Sequence, residues 1–203
     1  MRAGLRYLLA LSLLGMIVAG PFFYRWARHP HRRNFRVVRP GVLYRSGQLS
    51  LAGLKRICHD HGIRTVVTLR GAYEPGQPHP DRDEEEWCRK EGLFHYRLPP
   101  LPWNAPDGSI PAEENVKRFL EIMDDPRHYP VLIHCFKGTH RTGTMCCIFR
   151  MEYENWPVES ALRELREVGY ETLEEDRDVL DFLRRYRPRR QTSSLGAGTT
   201  GRR

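Results

Sequence analysis

Two periodicities alternate along the middle of this chain. In SLAGLKRICHDHG (50–62), Leu51, Leu54, Ile57 and Cys58 fall on one helical face, with Ser50 placed to cap the helix and Gly62 to end it. IRTVVTLR (63–70) is β-branched and apolar, the pattern of a buried strand. A Pro/Gly loop, AYEPGQPHP, leads into an acid-rich helix, DRDEEEWCRKEG, closed by Gly92. FHYRL (94–98) alternates as a strand, and LPPLPWNAPDGS (98–109) holds four prolines and is irregular. PAEENVKRFLEIMDD (111–125) opens with proline and acids in its first turn, as a helix dipole favours. VLIHC is the next strand, and helices follow from about Arg141, from Pro157 to Val168, and around Glu175–Tyr186. With GVLYRSGQ (41–48) as a further short strand and turn, this order predicts an α/β domain. Its central, mostly parallel sheet has about four to five strands flanked by helices.

The ends follow other rules. Between Arg6 and Arg25 lie 18 uncharged residues, YLLALSLLGMIVAGPFFY, a helix of about 27 Å and close to the hydrocarbon thickness of a bilayer. Phe22, Phe23, Tyr24 and Trp26 collect at one end, as at a membrane interface. The competing reading is a cleaved signal peptide, but the candidate site Val18-Ala19-Gly20 is followed by Pro21, which disfavours cleavage. The expected organisation is therefore a transmembrane anchor at 1–25, a basic juxtamembrane linker at 26–40, a folded domain at 41–186 and a disordered basic tail at 187–203. Six arginines follow the span against two before it, which orients the domain to the cytoplasmic side of a single-pass protein.

Charge sharpens this division. The formal net charge is +8, yet eight arginines lie in 1–40 and five in 187–203, with no acid in either stretch. Residues 41–186 keep 20 of the 33 Lys+Arg against all 25 acids. A mildly acidic domain with basic ends argues against a nucleic-acid partner and for flanks lying near anionic lipid. The five cysteines have no CxxC or metal-like spacing, and an odd number does not suggest a disulfide framework. They fit a reducing compartment.

One stretch carries chemistry. In VLIHCFKGTHRTG (131–143) an apolar strand ends in Cys135, and a helix starts near Arg141. Backbone amides of Phe136, Lys137, Gly138, Thr139 and His140, together with the helix N-terminus, would form an anion cradle. The same field favours a thiolate at Cys135. Gly138 permits a tight curl, Arg141 offers a planar fork for two phosphate oxygens, the Thr142 hydroxyl is in reach of the sulfur, and the His134 ring orients the loop. Thiolate attack on phosphorus, a phosphocysteine and its hydrolysis follow. No metal or other cofactor is needed for this chemistry.

HCFKGTHRTG resembles the HCxxGxxR[ST] signature of the protein tyrosine phosphatase superfamily, in its cysteine-dependent dual-specificity branch. LYRSGQ, GIRTVVTLR and NWPVESALRELREVGY resemble further elements of small atypical members, so the likeness covers roughly 40–186. It implies Cys135 as nucleophile, Arg141 as phosphate clamp and Thr142 as leaving-group partner. Plant and fungal atypical members tend to carry lysine where this chain has Thr139, which argues against a preference for highly charged inositol pyrophosphates. The family also supplies an acid from a mobile loop roughly thirty residues before the cysteine. The acid of the matching loop, LPWNAPDGS, is Asp107, 28 positions upstream, although Asp-Gly after proline is also an ordinary turn. Asp81 and Asp83 are fallbacks, and Glu113 and Glu114 read as solvated helix-start charges.

Cys58, Cys88, Cys146 and Cys147 read as core residues, and Arg45 and Ser46 as structural. Trp103 reads as a lid contact or a half-buried aromatic, and Arg70 as a substrate contact or a surface ion pair. The expected activity is phosphomonoester hydrolysis, with phosphotyrosine or dual-specificity protein substrates leading. A phospholipid head group or inositol phosphate is the alternative substrate. A phosphate-binding pseudophosphatase or scaffold, and sulfur transfer of the rhodanese kind, are the alternatives to the activity itself.

Overall fold

A computed structural model describes residues 33–189 except 73 and 75. Its centre is a five-stranded sheet made of β1 (Arg36–Arg39), β2 (Leu43–Ser46), β3 (Thr65–Thr68), β4 (Phe94–Arg97) and β5 (Val131–His134). The spatial order is β1-β2-β5-β3-β4, with β1 antiparallel to β2 and the other pairs parallel. Six α-helices lie among the described residues: α1 (Leu51–His61), α2 (Arg82–Lys90), α3 (Ala112–Asp124), α4 (His140–Glu154), α5 (Val158–Glu167) and α6 (Arg177–Arg185).

Side chains of successive strand residues point to opposite faces, and both faces of this sheet are covered. Tyr44, Val66 and Leu132 pack with Leu54, Ile57, Cys58 and Cys88 of α1 and α2. Leu43, Val67, Val131 and Ile133 pack against α3 to α6 in the larger core, where Phe119, Phe149, Leu162 and Leu183 meet. Double coverage is why the central strands read as continuous apolar runs. The cap at Ser50 forms as expected, its hydroxyl accepting from the Gly53 amide at 3.1 Å, and Gly62 ends α1 with φ +62.

The described fold runs past both expected limits of 41–186. Arg36–Arg39 form an edge strand rather than linker, paired to β2 with a register shift between Val37 and Arg39. Val38 alone of the four is buried, so a strand with one inward side chain among three arginine or solvent-facing positions carries almost no periodic signal. Beyond 186, Arg189 pairs with Asp124 and with the buried Glu152. The expected transmembrane stretch at 7–24 and the tail from 190 lie outside the described residues. Among the described ones, no helix is long and apolar enough to cross a membrane.

Topology fixes where chemistry belongs. β5 runs between β2 and β3, and the three strands end flush, with His134 opposite both Ser46 and Thr68. Cys135 is the next residue, at the carboxyl edge where open α/β sheets bind ligands.

Candidate active site

The segment 135–139 leaves β5 and curls into α4, which starts at His140. Three successive carbonyls of this curl are tied outward. Phe136 O accepts from the Gln48 amide at 3.0 Å, Lys137 O from Asn34 Nδ2 at 2.8 Å, and Gly138 O from Arg45 Nη2 at 2.6 Å. A trans peptide sets its N–H opposite its C=O, so the amides of Lys137, Gly138 and Thr139 face the inside of the curl. Cys135 lies on its floor, 2 % exposed, and its Sγ accepts from the Gly138 amide at 3.2 Å. The loop backbone thus curls around the sulfur and is braced from outside.

Arg45 and Ser46, read as structural, are buried at the end of β2, and Arg45 is one of the braces. Asn34, Gln48 and Gly47 were not singled out from the sequence. A Cβ on Gly47 would lie 2.7 Å from Lys137 O, so the turn after β2 touches the curl directly. The available signal was the SGQ that follows LYR, a polar turn at the end of an otherwise buried strand.

Arg141 Nη1 donates to Leu69 O at 2.6 Å, placing the guanidinium between the curl and the end of β3. It lines a cavity of about 240 Å³ with Leu69, Leu98, Leu101, Trp103, Asn115 and Met145. Thr139 is buried, and the Thr142 Oγ1 is buried with no hydrogen-bond partner among the described residues. His140 stacks on Tyr170, with centroids 4.3 Å apart. Burial, then the charges of Lys137 and Arg141, hold its imidazole below the usual range, against a pull from Asp176. Phe136, 45 % exposed, stands at the rim with Arg33 and Arg70 over its ring at 4.2 and 5.6 Å.

Other candidates fall elsewhere. Asp107 sits at the exposed tip of the proline-rich loop, outside the cavity lining, and its Oδ1 accepts from the Ser109 amide and hydroxyl at 2.9 and 2.7 Å. Those two bonds hold its carboxyl below the usual range. Asp81, a fallback acid, is buried between Thr68 Oγ1 at 2.5 Å and Arg97 Nη1. Asp83, Glu113 and Glu114 are exposed on their helices. Arg70 is buried and donates to Gln48 Oε1 at 3.0 Å. Trp103 is half-buried against Phe182. Cys58, Cys88, Cys146 and Cys147 are all buried, and desolvation pushes the Cys58 and Cys147 thiols up to about 12, as core thiols should be.

Beneath the curl, His134 Nε2 meets Glu84 Oε1 at 2.8 Å, and His95 Nε2 reaches the same oxygen at 3.2 Å. Burial works against the Glu84 charge, but the two imidazoles outweigh it and hold the carboxyl at about 2. Asp81, Glu84 and His134 place ligand atoms within 4.8 Å of one another. Glu84 is held by His134, His95 and Gln48, and Asp81 by Thr68 and Arg97, while His134 Nδ1 is buried with no hydrogen-bond partner among the described residues.

A cysteine on an amide-lined floor beside an arginine has the geometry to receive an oxyanion. A family described as a DSP-PTPase phosphatase fused to NAD+ kinase matches residues 33–180. The chain belongs to this phosphatase family. Within the wider set of DSP-PTPase relatives, it is 27% identical over 194 residues to the dual specificity protein phosphatase TpbA of Pseudomonas aeruginosa, covering 90% of this chain and 80% of TpbA. It is 30% identical over 131 residues to the inositol diphosphatase DSP1 of Oryza sativa subsp. japonica, covering 64% of this chain and 54% of DSP1. Among solved structures, the catalytic core of the PP-IP phosphatase SIW14 of S. cerevisiae has the same fold, with a TM-score of 0.58 at 22% identity over 83% of this chain and 96% of that one. The chain spans 61% of the length of its relative OCA1 of Debaryomyces hansenii and 54% of DSP1.

Proposed function

We propose that this chain is a cysteine-dependent phosphatase that hydrolyses phosphomonoesters through a phosphocysteine. The observation that carries the reading is the outward bracing of three consecutive carbonyls, which turns the amides of 137–139 toward the Cys135 sulfur. Donors fixed before the substrate arrives stabilise charge on the equatorial oxygens without reorganising. The Cys135 thiolate attacks phosphorus, the P–O bond to the leaving group breaks, and that oxygen takes a proton from Asp107. Water then attacks the phosphocysteine with the Asp107 carboxylate as base, releasing phosphate and the thiolate. Arg141 leaves Leu69 O to clamp two phosphoryl oxygens, and the unpaired Thr142 hydroxyl donates to the departing sulfur.

Asp107 reaches the leaving group only if the proline-rich loop closes and its bonds to Ser109 are given up. Asp107→Asn is therefore expected to lower kcat about 100-fold on an alkyl phosphate and far less on an aryl phosphate with a good leaving group. Equal activity of the variant on both substrates would remove Asp107 from the mechanism.

Phosphotyrosine or dual-specificity protein substrates are the leading class, supported by the extent of the match to TpbA. Inositol phosphates are the second reading, motivated by the names of DSP1 and SIW14, with Thr139 in place of a further positive charge weighing against it. The apolar stretch 7–24 anchors the domain to a membrane in this proposal, which adds phospholipid head groups to the second class. Phosphate release from phosphotyrosine peptides, inositol phosphates and phospholipid vesicles, with flotation of the full chain on the same vesicles, separates these. Highest kcat/KM on the peptide supports the protein class; turnover confined to vesicles or inositol phosphates overturns it. Persulfide formation from thiosulfate, with no phosphate release, would replace the whole reading by sulfur transfer. Phosphate binding without any turnover would make the chain a pseudophosphatase.

A further inference from the structure

Helix α2 carries a run of acids, Asp83, Glu84, Glu85 and Glu86, of which Glu84 alone is buried, at 5 % exposure. A carboxylate is not placed inside a protein unless something there holds it. Its Oε1 meets the ring of His134, the residue that precedes Cys135, at 2.8 Å. Its Oε2 meets Gln48 Nε2 at 3.5 Å, and Gln48 is the residue whose amide holds Phe136 O. One carboxylate thus touches both ends of the first turn of the curl: the strand residue before the sulfur and the brace after it.

We propose that Glu84 is a positioning residue for the reaction, setting the orientation of the His134 ring and the start of the Cys135 loop. This deepens the phosphatase reading and rests on it. The neighbouring charges are accounted for element by element. Asp81, at the start of α2, is balanced by Arg97 of β4. Glu84 faces His95 from β4 and His134 from β5. Cys58 of α1 and Cys88 of α2 also lie within its field, and both thiols are pushed up, first by burial and then by Glu84, and so stay neutral. The contacts of Glu84 Oε1 are therefore two imidazoles, and the His134 one adjoins the nucleophile. A ring dipole fixed beside a cysteine favours the thiolate form. Removing the carboxylate removes what holds that ring in place.

The test is the pH profile of kcat/KM for the full chain on the best phosphomonoester, with Glu84→Gln as the main variant. Glutamine keeps the shape and an acceptor oxygen, so a packing role alone would leave the profile where it is. The acid limb is expected to move up by about one pH unit, a roughly tenfold loss of rate on that limb, with KM within about threefold of wild type. Glu84→Asp, which restores the charge, recovers at least half of the move. His95→Gln, which spares the Glu84–His134 contact, leaves the limb in place. Should Glu84→Gln fail to fold, His134→Gln is expected to show the same upward move. A limb that superimposes on the wild type in whichever of these two variants folds overturns the inference while leaving the phosphatase reading intact. A wild-type chain with no turnover would sink both.

Discussion

Cys135→Ser is expected to abolish turnover while leaving the phosphate site able to bind. Serine is similar in shape, and the three braces on Phe136, Lys137 and Gly138 do not involve the sulfur. The amides of the curl therefore stay aimed inward, and Arg141 still offers its fork. What is lost is the nucleophile, because an unactivated hydroxyl is a far poorer attacking group at neutral pH than a thiolate. The expected loss in kcat is at least about 10⁴-fold, with the affinity for a phosphopeptide within about tenfold of wild-type KM. Phosphate release and isothermal titration on the same preparation measure both quantities. Residual turnover within tenfold of wild type would mean that another group attacks phosphorus.

The second large effect is expected at Gly138. Its φ is +81, a left-handed conformation that costs an L-residue about 1 kcal/mol. A Cβ there would also lie 2.4 Å from Gly47 N, 2.5 Å from Ser46 C and 2.6 Å from Ser46 O. All three are backbone atoms, so no side-chain rotation relieves the clash. Gly138→Ala must push the curl away from β2, which breaks the Arg45 brace and turns the Thr139 amide out of the cradle. Stability is expected to fall by about 2–3 kcal/mol and kcat/KM by about 100-fold. Gly92→Ala is the control. Gly92 has φ +71 but open space around its Cβ position, so this change should cost about 1 kcal/mol and leave kcat/KM unaltered. Comparable activity losses in the two variants would show that backbone strain, and not the contact with β2, is what matters.

Much of this architecture was legible because periodicity and punctuation agreed. The face of α1 with Ser50 and Gly62 at its ends and the apolar run of β5 each have one reading, and the spacing from Cys135 to Arg141 points to an anion-binding loop. β1 was missed because its arginines looked like the continuation of a basic flank, and a strand that buries only Val38 gives pattern analysis nothing to count. Glu84 was missed for a related reason. Four acids in a row read as a solvated helix start, and only its position four residues before the buried Cys88 hinted that it faces inward. The braces at Asn34 and Arg45 lie 103 and 93 residues from the carbonyls they hold, a separation across which local pattern carries no information. Asp107 was legible as a loop acid, but whether that loop closes depends on tertiary energetics that spacing does not encode.

The position of β5 has a kinetic meaning. β2 and β3 do not pair with each other; each leans on β5, which is synthesised some 60 to 90 residues after them. A nascent chain that has exposed only its first half holds two strands with a gap between them, and no catalytic loop. The strand that closes this gap is the one that delivers Cys135. On the reading proposed above, the thiol therefore gains its ring of amides only once the strand that closes the sheet is in place.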